Sequence, residues 1–171
     1  MKQGFIHIYT GDGKGKTCAA FGMAVRAAMA GKKVYIAQFV KSMKYSETKI
    51  EEFVENITIR QFGRGCFLHE RVEEADIKAA LEGLEESRRA LASGAWDLVI
   101  LDEVTIALSF KLFSTKELLD VLEEKAEHSE VILTGRGAPQ ELIDIADLVT
   151  EMKEIKHYYT RGVLSRPGFD C

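Results

Sequence analysis

The sequence predicts an α/β fold in three layers, a mostly parallel sheet with helices on both faces. Three observations carry that expectation. Short apolar runs of strand length alternate with helical stretches along the 171 residues. Several runs are apolar without a break, as strands buried on both faces are. The stretch TGDGKGKT, Thr10–Thr17, stands between the first strand and the first helix, where backbone N–H groups and a helix N-terminus can cradle an anion. The length fits a single domain over 1–171, with 153–171 as a C-terminal tail.

The elements follow in order. GFIHIY (Gly4–Tyr9) reads as a strand. KTCAAFGMAVRAAMA (Lys16–Ala30) is rich in strong helix formers, and Gly31 is placed to stop it. VYIAQFV (Val34–Val40) is a second strand. ITIRQF (Ile57–Phe62) is a third, alternating as a half-exposed strand does. A charged amphipathic helix runs from Val72 to Ser93 and is closed by Gly94. DLVILDE (Asp97–Glu103) is an apolar strand ending in two carboxylates. KELLDVLEEKAEH (Lys116–His128) is helical, VILTG (Val131–Gly135) is a strand, Pro139–Ala146 a short helix, and LVTEM (Leu148–Met152) the last strand. The tail, Lys153–Cys171, has no period and is expected to wrap the surface or cover a site.

Composition excludes several classes. Hydrophobic residues at 46% and charged residues at 29% fit a packed domain rather than a disordered chain. A net charge of −4 without a basic stripe argues against a nucleic-acid partner. Cys18, Cys66 and Cys171 are odd in number and form no CxxC pair, so they imply thiols in a reducing compartment. No signal-peptide pattern opens the chain, and no apolar run approaches the ~18 residues of a membrane span. A soluble cytoplasmic protein without a membrane partner is expected.

The phosphate-loop pattern is GxxxxGK[ST]. Gly15, Lys16 and Thr17 match its end, while Thr10 stands at its first position. N–H groups of Gly11, Asp12, Gly13, Lys14 and Gly15 would face phosphate oxygens, Lys16 would reach them with its ammonium, and Thr17 would offer a hydroxyl to Mg²⁺. Asp102 and Glu103 lie at the C-terminal end of a buried strand, the edge where such sheets bind ligands. One of the two is expected to order the metal, directly or through water. Arg136 follows the strand VILTG and so lies near the same edge. Arg26 lies on the helix after the loop, where it is either a ligand contact or a surface arginine. Lys41 follows the second strand. The loop GRGCFLHE (Gly63–Glu70) carries apolar and aromatic residues between glycines. It suits either a flat apolar ligand or an anchor in the core.

These residues specify a nucleoside triphosphate with Mg²⁺ and leave the reaction open. In a kinase or ATPase a nucleophile attacks the γ-phosphorus and ADP is released. In an adenosyl transfer the nucleophile attacks the 5′ carbon of the ribose and the triphosphate leaves whole. A nucleotide-dependent binding module would use the same loop.

The chain resembles the phosphate-loop ATP:corrinoid adenosyltransferases, also called cob(I)alamin adenosyltransferases. The likeness spans nearly the whole length. It rests on TGDGKGKT followed by AAFGMAVRA, on QFVK, GRGCFLHE, LVILDE and ILTGRGAP, and on ADLVTEMKEIKH with the closing GVLSRPGFD. Thr10 at the first loop position is itself a feature of that family.

The resemblance implies a RecA-like nucleotide-binding fold and a homodimer. It implies transfer of the 5′-deoxyadenosyl group of ATP to cobalt(I) of a corrinoid (cobalamin, cobinamide or a precursor), with release of triphosphate. It further implies Mg²⁺ or Mn²⁺ and an electron donor protein such as a flavoprotein. Carried over by motif, Gly11–Thr17 bind the triphosphate and Thr17 and Glu103 hold the metal, with Asp102 as a second candidate. Arg26 and Arg136 contact ATP, and Lys16, Glu103 and Arg136 act in catalysis. An aromatic pair in the family crowds the lower face of the corrinoid. Phe67 matches its first member, and His69 stands where a tryptophan is common. An imidazole there can pack as a flat ring or coordinate cobalt.

Overall fold

The computed structural model describes residues 3–41, 43, 45–64 and 72–170. The strands are β1 (Ile6–Thr10), β2 (Val34–Phe39), β3 (Ile57–Phe62), β4 (Leu98–Asp102), β5 (Glu130–Thr134) and β6 (Leu148–Glu151). The helices are α1 (Lys16–Met29), α2 (Glu74–Ala92), α3 (Val104–Ser109), α4 (Thr115–Glu123) and α5 (Gln140–Ile145). All six strands form one sheet in the order β3-β2-β4-β5-β1-β6. Every pairing in it is parallel. The expected three-layer α/β architecture is what forms, consistent with a RecA-like phosphate-loop fold.

Strand alternation divides the interior in two. Tyr35, Ala37 and Phe39 of β2, Val99 and Leu101 of β4, and Val131 and Leu133 of β5 face one side. There they meet Ala80, Leu84 and Leu91 of α2, Leu118 and Val121 of α4, and Leu142 of α5. Val34, Ile36, Leu98, Ile100 and Ile132 face the other side, against Ala20, Phe21, Ala24 and Ala28 of α1. Burial on both faces is why these strands read as unbroken apolar runs. The alanines at i, i+4 and i+8 form one stripe of α1 and let its backbone lie close to the sheet.

Two strands are followed directly by a strained residue. Val40 has φ 60° and Glu103 has φ 59°, a region that non-glycine residues rarely occupy and a β-branched side chain least of all. Each strand therefore stops one residue before the C-terminal end of the run expected from the sequence. β1 begins late because Gly4 N donates to Glu127 O at 2.8 Å and a side chain at Gly4 would collide with Ser129 O. α4 stops at Glu123 rather than His128. Beyond it Ala126 N donates to Leu91 O at 2.9 Å, and Lys125 Nζ donates to Gly4 O at 2.9 Å. Those bonds compete with a further helical turn.

The helix starts follow capping chemistry. Ser114 Oγ accepts from Glu117 N at 3.2 Å while Ser114 N donates to the Glu117 carboxylate at 2.8 Å. Glu73 and Asp76 make the equivalent box at α2. Gly31 and Gly94, both with positive φ, end α1 and α2 where the sequence placed the stops. The short helix α3 and a 3-10 helix at Ser46–Glu52 were not expected from the sequence.

Candidate functional site

β1 and β4 deliver the two halves of the site to one edge of the sheet. The loop 11–15 leaves β1 and turns into α1 at Gly15, whose φ of 119° suits a residue without Cβ. The loop is clamped from outside by the end of β6. Met152 N donates to Thr10 O at 2.8 Å, and Gly13 N donates to Met152 O at 2.7 Å. An added Cβ at Gly13 would lie 2.6 Å from Met152 O, so close approach of two backbones requires glycine there.

Lys16 is buried, and its Nζ donates to Gly11 O at 2.7 Å and to Gly13 O at 2.8 Å. Burial pushes this ammonium below its usual range, and Arg136 adds to the effect against the pull of Glu103, Asp12 and Asp102. The lysine thus spans the mouth of its own loop.

Asp102 is fully buried behind the loop. Its Oδ1 accepts from Thr17 Oγ1 at 2.9 Å and Thr134 Oγ1 at 2.7 Å. Its Oδ2 accepts from Lys41 Nζ at 2.8 Å and Gln38 Nε2 at 3.2 Å. Burial would raise this carboxyl, but the Lys41 ammonium and the hydroxyl donors outweigh it and hold the group below the usual carboxylate range. Glu103 is the opposite case. Burial and the neighbouring Asp102 charge push it up, against Lys41, Lys16 and Arg136. Its left-handed backbone is fixed by Glu103 N donating to Thr134 Oγ1 at 2.9 Å.

A cavity of about 870 Å³ opens over the loop. Asp12 to Cys18 floor it, and Glu103, Arg136 and Lys41 line its sheet-edge side. The tail covers it. His157, Tyr158, Tyr159 and Phe169 contribute to its wall, so of the two courses open to the tail it takes the one over a site.

The structure brings together Asp12, Gly13, Lys14, Gly15, Lys16, Thr17, Glu103 and Arg136 in the cavity lining. Gly11 lies directly beneath, tied to Lys16. Asp102 sits behind the cavity, with Thr17 between. Arg26 is exposed near the far end of α1 and does not line the cavity. Phe67 and His69 lie outside the described residues. Sequence reasoning placed Lys41 at the right edge but missed its pairing with Asp102, and it missed the contacts of the tail with the loop. Among the described residues no cluster of three or more His, Cys, Asp or Glu could hold a metal by itself, and no helix is long and apolar enough to cross a membrane.

Comparison with known proteins decides between the reactions this geometry allows. The model of the family described as "ATP:corrinoid adenosyltransferase BtuR/CobO/CobP" matches residues 2–171. The chain belongs to this family. It is 34% identical to a corrinoid adenosyltransferase of Escherichia coli strain K12 over 170 residues, covering 99% of this chain and 86% of the relative. A corrinoid adenosyltransferase of Salmonella typhimurium gives the same figures, 34% identity with 99% and 86% coverage. One of Pseudomonas aeruginosa is 32% identical over 171 residues, with 99% and 84% coverage. The likeness thus runs through the phosphate loop, Asp102 and Glu103 at the end of β4, and the tail alike.

Proposed function

We propose that the cavity holds ATP with its triphosphate on the loop, and that the cobalt(I) of a corrinoid attacks the 5′ carbon of the ribose. A cobalt–carbon bond forms with the electron pair of cobalt(I), the C5′–O5′ bond breaks, and the triphosphate departs with that bond's electrons. The metal of the substrate ends as an alkylated cobalt(III). The observation that carries this reading is a phosphate loop closed by Thr17 on a buried Asp102, within a chain matched along residues 2–171 by an adenosyltransferase family.

The residues have distinct tasks. Backbone N–H groups of 11–15 and the N-terminus of α1 favour the negative charge of the triphosphate. Lys16 and Arg136 stabilise charge on the departing chain. Because cobalt(I) is the nucleophile, no side chain has to remove a proton.

Mg²⁺ is supported by the donor set. Glu103 is a carboxylate in the cavity wall, raised by burial and by Asp102, and no described side chain hydrogen-bonds it. Thr17 brings a hydroxyl to the same cavity lining. One carboxylate, one hydroxyl and phosphate oxygens suit Mg²⁺, which keeps several waters and takes few protein ligands. Bound there, the ion would neutralise charge on the triphosphate. Asp102 would act from behind by orienting Thr17, since both of its oxygens are already occupied. Phe67 and His69 are assigned to the corrinoid side by resemblance. A homodimer and a reducing partner such as a flavoprotein complete the reading.

The test is anaerobic. The protein is mixed with MgATP and chemically reduced cobalamin, the cobalt spectrum is followed, and the phosphate product is identified. Loss of the cobalt(I) band with free triphosphate is expected. ADP and phosphate with an unchanged cobalt spectrum would overturn the assignment in favour of a phosphoryl-transfer enzyme.

A further inference from the structure

Lys14 stands in the middle of the loop and lines the cavity, yet its ammonium is bonded to the tail and not, like that of Lys16, to the loop itself. Nζ donates to Tyr158 Oη at 2.8 Å and to Phe169 O at 2.6 Å, and it forms an ion pair with Asp170 Oδ1. An ammonium has three N–H donors, and the tail takes all three. Asp170 is equally engaged. It accepts from Lys14, from Tyr158 Oη and from Arg166, whose Nε lies at 3.0 Å and whose backbone N lies at 3.1 Å. The Arg166 guanidinium stacks over the Tyr158 ring at 4.7 Å and the Phe169 ring at 5.2 Å. The result is a closed knot of Lys14, Tyr158, Arg166, Phe169 and Asp170, and Tyr158 and Phe169 from this knot also line the cavity.

We propose that Lys14 is a positioning residue: it ties the tail, through Asp170 and Tyr158, over the phosphate loop, and the tied tail forms the wall against which ATP is held. The proposal rests on the reading of the cavity as an ATP site, and it gives the Lys14 side chain a task separate from that of its backbone N–H, which is expected to face phosphate. A lysine free to bind phosphate has its donors turned to the loop interior, as Lys16 does. The side chain of Lys14 is instead consumed by acceptors that no nucleotide brings. The wall it anchors is aromatic and semi-apolar, which suits the nucleoside end of ATP better than its phosphates.

The two roles differ in sign at Asp170. If Lys14 holds the tail, Asp170→Asn loosens the wall and weakens ATP binding. If Lys14 is a phosphate ligand held back by Asp170, the same change frees it and tightens binding.

The experiment compares the full-length protein with Lys14→Ala, Asp170→Asn, Asp170→Glu and the double variant Lys14→Ala/Asp170→Asn. Two quantities are read: MgATP affinity by calorimetry, and backbone hydrogen exchange over 158–170 without nucleotide. Lys14→Ala and Asp170→Asn should each weaken affinity about tenfold, the scale of coupling between contacting residues, and each should speed exchange in the tail. The double variant should be no worse than either single one, and Asp170→Glu should restore most of the affinity. Asp170→Asn binding as tightly as the parent or tighter, or Lys14→Ala with tail exchange unchanged, would overturn the proposal. The exchange measurement needs no nucleotide. A parent protein that fails to bind MgATP would therefore refute the ATP-site reading, while exchange still decides whether Lys14 ties the tail.

Discussion

Lys41 Nζ lies 2.8 Å from Asp102 Oδ2, joining the second residue after β2 to the last residue of β4. Strand pairing creates the contact. Gln38 stands opposite Asp102 in the parallel register, and the turn at Val40 swings Lys41 back over it. Asp102 is wholly buried and Lys41 mostly so, so neither charge has water to fall back on.

Removing one partner should therefore cost more than a surface ion pair does. Lys41→Met leaves a buried carboxylate without its cation and should destabilise the fold by about 3 kcal/mol, read from urea unfolding at neutral pH. The pair also sets a pH window. Asp102 is depressed from 3.8, so its contribution is present above that pH and is lost as pH falls below it. Burial opposes the charge on Lys41, but Asp102 outweighs it and raises the group from 10.5, so its share is present below that pH and lost above it. The Met variant should show a weaker decline than the parent at both ends.

Glu103 should behave in the opposite way. Burial and Asp102 raise it from 4.5, so the folded protein holds its proton longer than the unfolded chain. Its charge then costs stability as pH rises from 4.5 through the raised value. Glu103→Gln should be at least as stable as the parent at pH 7 without metal, while Mg²⁺-dependent ATP binding falls roughly 10- to 100-fold. Thermal unfolding and ATP titration with and without Mg²⁺ check both. A variant that loses stability and keeps its metal response would contradict the role.

Lys16→Ala should abolish ATP-dependent turnover, with a loss of roughly 10²-fold or more, measured as cobalt alkylation under anaerobic conditions. Phe67→Ala should weaken use of the corrinoid and leave ATP binding nearly intact. Unchanged activity on the corrinoid in the second variant would remove Phe67 from the site.

Gly13→Ala tests the contact with β6. Its Cβ would sit 2.6 Å from Met152 O, and a backbone carbonyl held by a hydrogen bond cannot swing aside. Destabilisation of about 1–3 kcal/mol is expected, together with impaired ATP binding. Gly22→Ala is the control: nothing lies within 4 Å of the added carbon, the helix gains propensity, and the fold should hold or improve.

β2, β4 and β5 were legible because burial on two faces writes itself as a continuous apolar run, and VYIAQF is buried at every position. The loop and the carboxylates were legible because their chemistry is local. Other features depend on what lies across the sheet. Lys41 could not be paired with Asp102 without knowing that β2 neighbours β4. α3 gave no signal because it opens on a left-handed Glu103 and the β-branched pair Val104 and Thr105, with no side-chain cap. The 3-10 helix SETKIEE is short and polar, with too few apolar positions to show a period. The tail has no period either. It is held by a knot of side chains rather than by a repeating face.

The position of β1 bears on how the site comes into being as the chain is made. Of the six strands of this sheet β1 is made first, yet it pairs with β5 and β6, whose residues lie more than a hundred positions downstream. The phosphate loop is bonded further still, to Met152 and the tail beyond it. Contacts of such sequence separation form late, because the long intervening chain must be ordered first. β2, β3 and β4 can assemble while β1 waits unpaired. An unfinished chain would then carry every loop residue and still lack the clamp that shapes them. The shape of the loop would thus be completed only after β6 and the tail have been made, so that a full set of loop residues is no guarantee of a formed loop.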